Sequence, residues 1–581
     1  MKRAIVNSGR LLAPMTLLMC LAATANAAVP GITGPTFNLT AQPAFINQPD
    51  GEAVYSWGYG CNTAPTGTLP AALGPVPCPT MQVPGPTLIV KEGDTVTVTL
   101  TNSLPTAVGN TSILFPGFTL ASTTCSSGAV QGLLTCEAPP GRSVTYTFVA
   151  SAPGTHAYYS GTQGDLQIEM GLYGAVVVIP AVANVPANCN AGYHTLNSTS
   201  KATWGETDFR LAHAAYDHPG TCYDREYLFQ WAEMDARIHK EALAQVTALT
   251  GCAAGVEGCS LSVQTEPYHP AYFLINGRSM PDLMDPNFAA DYPHQPYNAN
   301  PHMHPGELTL IRTIGQGRWQ HPFHEHANHV RILARDGNLV LISTAGPCST
   351  TPLPAGCINF SSGLAGDTGV AAPGLAGILM FNTDTTPGES FDGIFYFTGR
   401  GLNWDPYAHH PGSSDPLAKL GCTPDVNGYN SSAPTALNFM EWCQDHNKPI
   451  QANPFGDVPA GGPVTLPDPN VFTNGAWYGG SLYLGPDATL RGNAPACVGS
   501  PYGPANPTTP SGGAGTPAVN TSNCTNLNPS NLQLNPANER GWAFMWHSHN
   551  EREITTNNVF PGGMLMMMLV DTREFVIDEH L

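Results

Sequence analysis

Charge is scarce in this sequence. Only 11% of its 581 residues are charged, and 22 Lys and Arg face 42 Asp and Glu. The formal net charge of −20 argues against nucleic acid or an anionic membrane surface as partner, because both select basic patches. Past the N-terminal segment, no stretch is long and apolar enough to span a bilayer. No CxxC pair occurs, and none of the 15 Cys lies inside a histidine cluster, which argues against cysteine as metal ligand or nucleophile. Sustained helical periodicity is also rare. With 61 Gly and 55 Pro, the composition is that of a loop-rich β protein, and 42% apolar residues argue against disorder.

What is present begins with a leader. Lys2, Arg3 and Arg10 precede the apolar run Leu11 to Ala23 and the small-residue site Ala25-Asn26-Ala27. Residues 1–27 read as a secretory signal peptide, so the expected location is secreted or periplasmic. Cys20 lies in that leader. The other cysteines fall in neighbouring couples: Cys61/Cys78, Cys125/Cys136, Cys189/Cys222, Cys252/Cys259, Cys348/Cys357, Cys422/Cys443 and Cys497/Cys524. In an exported protein this suggests disulfides that staple loops, although spacing does not determine connectivity.

From Thr36 to Ile179 the pattern is β. Residues 86–102 read as an extended strand, a Gly-Asp turn and an alternating strand, with further strands at Ser143–Val149 and Gly171–Ile179. Residues 183–225 are a polar connector. A second β unit starts near Glu226, with a short surface helix at about 237–249 and strands at 272–277, 306–314 and 387–397. It closes with Met564 to Val570, whose methionines read as a core strand. The expected division is a first domain at 28–182, a connector at 183–225 and a second domain at 226–581. That second domain carries a Gly/Pro/Asn-rich insertion at about 400–535.

Two histidine pairs stand out. His324 and His326 lie in His321-Pro322-Phe323-His324-Glu325-His326, and His547 and His549 flank Ser548. Residues two apart on a strand share a face, so each pair points its imidazoles one way. Two such pairs look like two halves of one metal site, with donors that suit Cu, Zn, Fe or Ni. Glu325 is expected on the other face, in a salt bridge or supporting role. His329 should point elsewhere. His302-Met303-His304, in Pro/Asn-rich surroundings, reads as a loop, with a replacement ligand for the metal site as the alternative.

These motifs resemble the multicopper oxidase family, built from cupredoxin β-barrels. The family carries two HxH motifs in its first domain, and HPxHxHG and HCHxxxH in its last. The third is kept as His321–His326, with Ala327 for the usual Gly. The fourth reads His547-Ser548-His549 through Glu553, so Ser548 replaces the thiolate and Glu553 the last His. The first falls on Leu114–Gly117, and the second puts Tyr159 and Gly161 at ligand positions; neither keeps a ligand. His156 lies at a variable position with no inherited role. The resemblance implies an all-β fold of two cupredoxin-like Greek-key barrels, the second with a disulfide-stapled insertion. It implies copper, one or two ions, on His324, His326, His547 and His549, and Zn or Fe would suit the same donors. His321 and Glu553, with Ser548, are candidates for a second small site or a polar core network. A blue type 1 site needs His₂Cys, so none is expected.

The expected function is an exported, copper-binding, multicopper-oxidase-like protein. As an oxidoreductase it would use O2 with a small-molecule or metal-ion substrate. A non-catalytic copper-sequestering protein and a structural extracellular β protein with a vestigial site are the alternatives.

Overall fold

The computed structural model describes residues 29–571 apart from 123, 191–192, 362–367, 398, 401–420, 437, 444–479 and 484–540, together with residues 573, 576, 577 and 579. The leader at 1–27 and the couple Cys497/Cys524 lie outside the described residues.

Alternating burial builds two β-sandwich units. In the first, the strands are β1 (Thr36–Asn47), β2 (Ala53–Cys61), β3 (Leu88–Lys91), β4 (Thr95–Asn102), β5 (Ser143–Val149), β6 (Gly154–Tyr159) and β7 (Tyr173–Ile179). One sheet runs β2-β1-β4-β5, and the other runs β6-β7-β3 and on to Gly31–Thr33 and Thr68–Leu69. Val96, Val98 and Leu100 of β4 point inward while the threonines between them reach the surface. The Gly93-Asp94 turn, with φ +89° at Gly93, carries the chain from one sheet to the other rather than closing a hairpin. Trp57, Tyr59, Phe148 and Tyr158 fill the core between the sheets.

The second unit comprises β8 (Arg225–Met234), the helix α1 (Ala236–Ala248), β9 (Tyr272–Ile275), β10 (Leu308–Gly315), β11 (His321–Glu325), β12 (Val330–Arg335), β13 (Asn382–Thr385), β14 (Ser390–Tyr396), β15 (Gly541–Ser548) and β16 (Leu565–Asp571). Its sheets run β9-β8-β10-β14-β12 and β16-β15-β11-β13, each with short edge additions. Between them Phe229, Trp231, Phe323, Phe395 and Trp546 pack with Met564, Met566 and Met568, so the terminal methionines are core. The outer face of β6 and β7 meets β8 and β10 through Ala157, Val177, Leu228 and Ile314, which joins the units by an apolar contact.

Three expectations change. Helix α1 is capped by the Asp235 carboxylate on Arg237 N, but it is not merely a surface helix: Ile238 and Ala242 bury into the first unit's core. The connector holds a helix at Tyr193–Thr203, which lacked an apolar stripe to announce it. It docks through polar groups instead, with Lys201 paired to Glu307 (3.2 Å) and Asn197 donating to Asp224 (2.9 Å). His302 is not a loop residue, and His304 follows directly on its strand. His302–Met303 pairs with β16, and both rings are buried, His302 on Asp571 (2.6 Å) and His304 on Glu206 (2.6 Å).

Six disulfides occur among the described residues, at the first six sequence-neighbour couples. No helix there is long and apolar enough to cross a membrane.

Candidate metal centre

β11 and β15 run antiparallel with His324 opposite His547 and Phe323 opposite Ser548. Cross-strand partners share a face, and so do residues two apart. His324, His326, His547 and His549 therefore share the outer face of this sheet. His321, Phe323, Trp546 and Ser548 point into the sandwich. After β11 the chain turns at Ala327, with φ +84°. That left-handed conformation costs an ordinary residue roughly 1–2 kcal/mol.

His324, His326 and His547 form a compact group whose ligand nitrogens all lie within 4.8 Å of one another. His326 Nε2 and His547 Nε2 are 3.1 Å apart. Two nitrogens at about 2.0–2.1 Å from one tetrahedral ion would be about 3.3–3.4 Å apart, so this spacing is close to that of a shared metal. His324 Nδ1 donates to Phe381 O (2.5 Å), and His547 Nδ1 donates to the Ser548 carbonyl (2.6 Å). Each bond fixes the tautomer that leaves Nε2 as a lone pair, the usual support of a ligating imidazole. Burial, reinforced by the neighbouring imidazoles, pushes the His324 pKa down to about 4. Burial and His549 also lower that of His547. Both rings are therefore neutral near pH 7, the state that binds metal. His549 does not join the compact group. It is exposed, with its ring 4.9 Å from His324 and stacked 5.9 Å from His547, and it forms the mouth of the site.

The inner face does different chemistry. His321 is fully buried, with Nδ1 2.8 Å from Glu553 Oε2 and Nε2 2.9 Å from Glu233 Oε2. Burial disfavours its charge, but hydrogen bonds to Glu233 and Glu553, and their charges, prevail and raise the pKa to about 9. Ser548 Oγ donates to Glu553 Oε2 (2.5 Å), and Asn550 Nδ2 to Glu553 Oε1 (2.9 Å). Both nitrogens of His321 are thus protonated donors with no lone pair for an ion. Of the alternatives weighed for His321 and Glu553, the geometry is that of a polar core network. Glu325 does point away from the outer histidines but has no salt bridge. Its Oε1 accepts from Thr383 (3.0 Å), and burial pushes its pKa well above the carboxylate range. His329 lies against the Phe381 ring at 5.2 Å, outside the group.

Sequence reasoning missed Glu233 and the Phe381 carbonyl. Glu233 lies on β8 and also accepts from Arg318 N (2.7 Å) and Trp319 N (2.8 Å). The signal was available: β8 reads as an apolar strand, yet it carries Arg225, Glu226 and Glu233, all buried. Phe381 acts through its backbone, which leaves no trace in residue type.

In the first unit, Leu114 bridges to Tyr159, and a Cβ on Gly161 would lie 2.8 Å from the Leu114 side chain. The two degenerate motifs are therefore neighbours, but apolar packing holds the place of ligands. The family model for multicopper oxidases matches residues 76–182, across this part of the fold. Laccase-3 of Botryotinia fuckeliana is 34% identical over 143 residues, covering 23% of this chain and 29% of that protein. Over that stretch the chain is similar to the multicopper oxidases. An L-ascorbate oxidase of Brassica rapa subsp. pekinensis is 38% identical over 97 residues, 17% of this chain and 16% of its own length. The alignments thus span less than a third of these curated relatives. A solved blue copper oxidase from Nitrosomonas europaea is 18% identical, with a TM-score of 0.35 over 62% of this chain and 74% of its own. The stretch matched by the family model lies in the first unit, while the histidines lie in the second.

Proposed function

We propose that this protein binds copper at His324, His326 and His547, one ion or at most two, as an exported oxidoreductase without a blue type 1 centre. The observation that carries the reading is the 3.1 Å approach of His326 Nε2 to His547 Nε2, beside a His324 oriented by the Phe381 carbonyl. Bound copper would supply one-electron redox chemistry towards O2 and a small-molecule or metal-ion substrate. The chain's own part is to hold three neutral imidazoles in one place and to leave the His549 side open to solvent. Ser548 Oγ is engaged by Glu553 and offers no thiolate, which supports the absence of a blue centre. The disulfides fit an oxidising compartment, in keeping with export as secreted or periplasmic protein.

Metal analysis of the purified full-length protein, with electron paramagnetic resonance after copper loading, tests this. The wild type should retain about one copper, or at most about two, with nitrogen hyperfine structure, and His547→Ala should lose it. A wild type that retains no copper, or retains zinc or iron in preference, overturns the reading.

A copper store without turnover is the second reading. It is favoured by Leu114, Tyr159 and Gly161 standing where the resemblance would place further ligands. Oxygen uptake with phenols and with metal ions as reductants separates the two.

A further inference from the structure

A second set of groups lies where the first unit meets the other sheet of the second, away from the histidine group. A cavity of about 350 Å³ opens where β6 meets the start of β14 and the turn after β12. Pro116, Gly117, His156, Ala157, Asp336 and Glu389 line it, with Gly388 and Ser390. Its volume is at the small end for sites that take small molecules.

His156 is the unexplained member. The residue is 8% exposed, and neither ring nitrogen is hydrogen-bonded to a described residue; both stay within reach of solvent at the cavity. The ring is nevertheless closely held. It packs at 4.6 Å on Phe118, and a methyl built on Gly117 or Gly337 would come within 2.8 Å of Nδ1 or 2.5 Å of Cε1. Both glycines have positive φ, +85° and +74°, so the backbone approaches the imidazole from two sides where no side chain fits. Burial lowers the pKa of His156 against the pull of Asp392 and Asp336, which keeps the ring neutral with one acceptor nitrogen.

The other polar groups of the wall are mostly committed. Ser390 Oγ donates to Thr155 O (2.5 Å), and Glu389 Oε1 is paired with Arg335 (2.9 Å). Asp336 is exposed; its Oδ1 accepts from Ser390 N (2.9 Å), and no hydrogen bond or ion pair among the described residues takes its other oxygen. The free groups are thus a carboxylate oxygen and an imidazole acceptor beside apolar Pro116 and Ala157. They suit a ligand that donates hydrogen bonds and carries positive charge. A metal ion fits poorly, because among the described residues the compact metal-type donor group is the histidine one.

We propose that this cavity is a second binding site, for a small organic cation whose ammonium group is held between Asp336 and His156 with its apolar part on Pro116 and Ala157. The site does not depend on copper and does not rest on the reading of the histidine group.

The test is a ligand-observed NMR titration of the full-length protein with benzylamine, benzyl alcohol and benzoate. Benzylamine should bind saturably, benzyl alcohol about tenfold more weakly through loss of the charge-assisted bond, and benzoate not at all. Asp336→Asn is the informative variant. Asn tolerates the φ of +48° at this position and keeps an acceptor for Ser390 N. It should bring benzylamine down to the level of benzyl alcohol while copper content stays at the wild-type value. No saturable benzylamine binding, equal binding of benzoate, or wild-type benzylamine affinity in Asp336→Asn would each overturn the proposal. The ranking of the three compounds on the wild type needs no variant to fold.

Discussion

His321 and His324 sit three residues apart on one strand and live in opposite surroundings. His324 faces outward with two other imidazoles. Burial and those neighbours bring its pKa to about 4, and one hydrogen bond to a carbonyl orients it. His321 faces inward between two carboxylates, which raise its pKa to about 9. The strand alternation assigns one ring to each face, and what each face collects decides the protonation state. The inner face already holds a cation: one imidazolium between Glu233 and Glu553. The outer face has lone pairs and no charge of its own. The same β11–β15 pair thus offers a site that wants a cation on one side and a pocket already holding a proton on the other.

The largest test of that contrast removes each ring in turn. His321→Ala strands Glu233 and Glu553 in the core without a cation, and breaking a buried pair in this way costs about 3–5 kcal/mol. His324→Ala in the metal-free protein loses one neutral hydrogen bond and some packing, about 1–2 kcal/mol. Denaturant unfolding of both variants measures the difference. Equal losses would mean that the inner clamp is not the charged pair its geometry describes.

The pH dependence should separate the faces next. The folded pKa of His321 lies above the value of about 6.5 expected in the unfolded chain. Its contribution, about 3 kcal/mol, is complete below about pH 6.5 and lost as pH rises through 9. His324 has the opposite sign. Its folded pKa lies below the unfolded one, so its contribution is present above about pH 6.5 and lost as pH falls towards 4. Stability of the metal-free protein measured against pH should fall on both sides. His321→Gln should flatten the alkaline limb and leave the acid limb in place. An unchanged alkaline limb would assign it to other groups.

Much of this was legible in the residues. The two HxH pairs marked the outer face because strand period alone puts them there. Alternation in Thr95–Asn102 located the sandwich, and neighbouring cysteines were spaced as the disulfides require. What was illegible depends on sheet stacking. Glu233 lies 88 positions before His321 and meets it only because β8 packs across the sandwich from β11. The helix at Tyr193–Thr203 escaped notice because Asn197, Ser200 and Lys201 bury polar groups where pattern reading looks for apolar ones. The separation of His549 from the compact group is of the same kind. Its spacing from His547 matches that of His326 from His324, and both lie one residue past a strand end, yet His326 is buried and His549 exposed.

The smallest effect concerns how the outer group is assembled. His326 lies beyond the end of β11, and Ala327 follows it at φ +84°, in a region that favours glycine. Ala327 is fully buried, so the turn is held by its surroundings. Ala327→Gly removes the Cβ conflict, worth roughly 1–2 kcal/mol, and returns part of that as extra freedom in the unfolded chain. A net gain of about 0.5–1 kcal/mol in the metal-free protein is expected, read by denaturant unfolding. The same change should leave His321 untouched, so the alkaline limb of the pH profile should keep its midpoint. A loss of stability would mean that the buried alanine methyl contributes more by packing than its backbone costs, and that the placement of His326 is set by the core rather than by the turn.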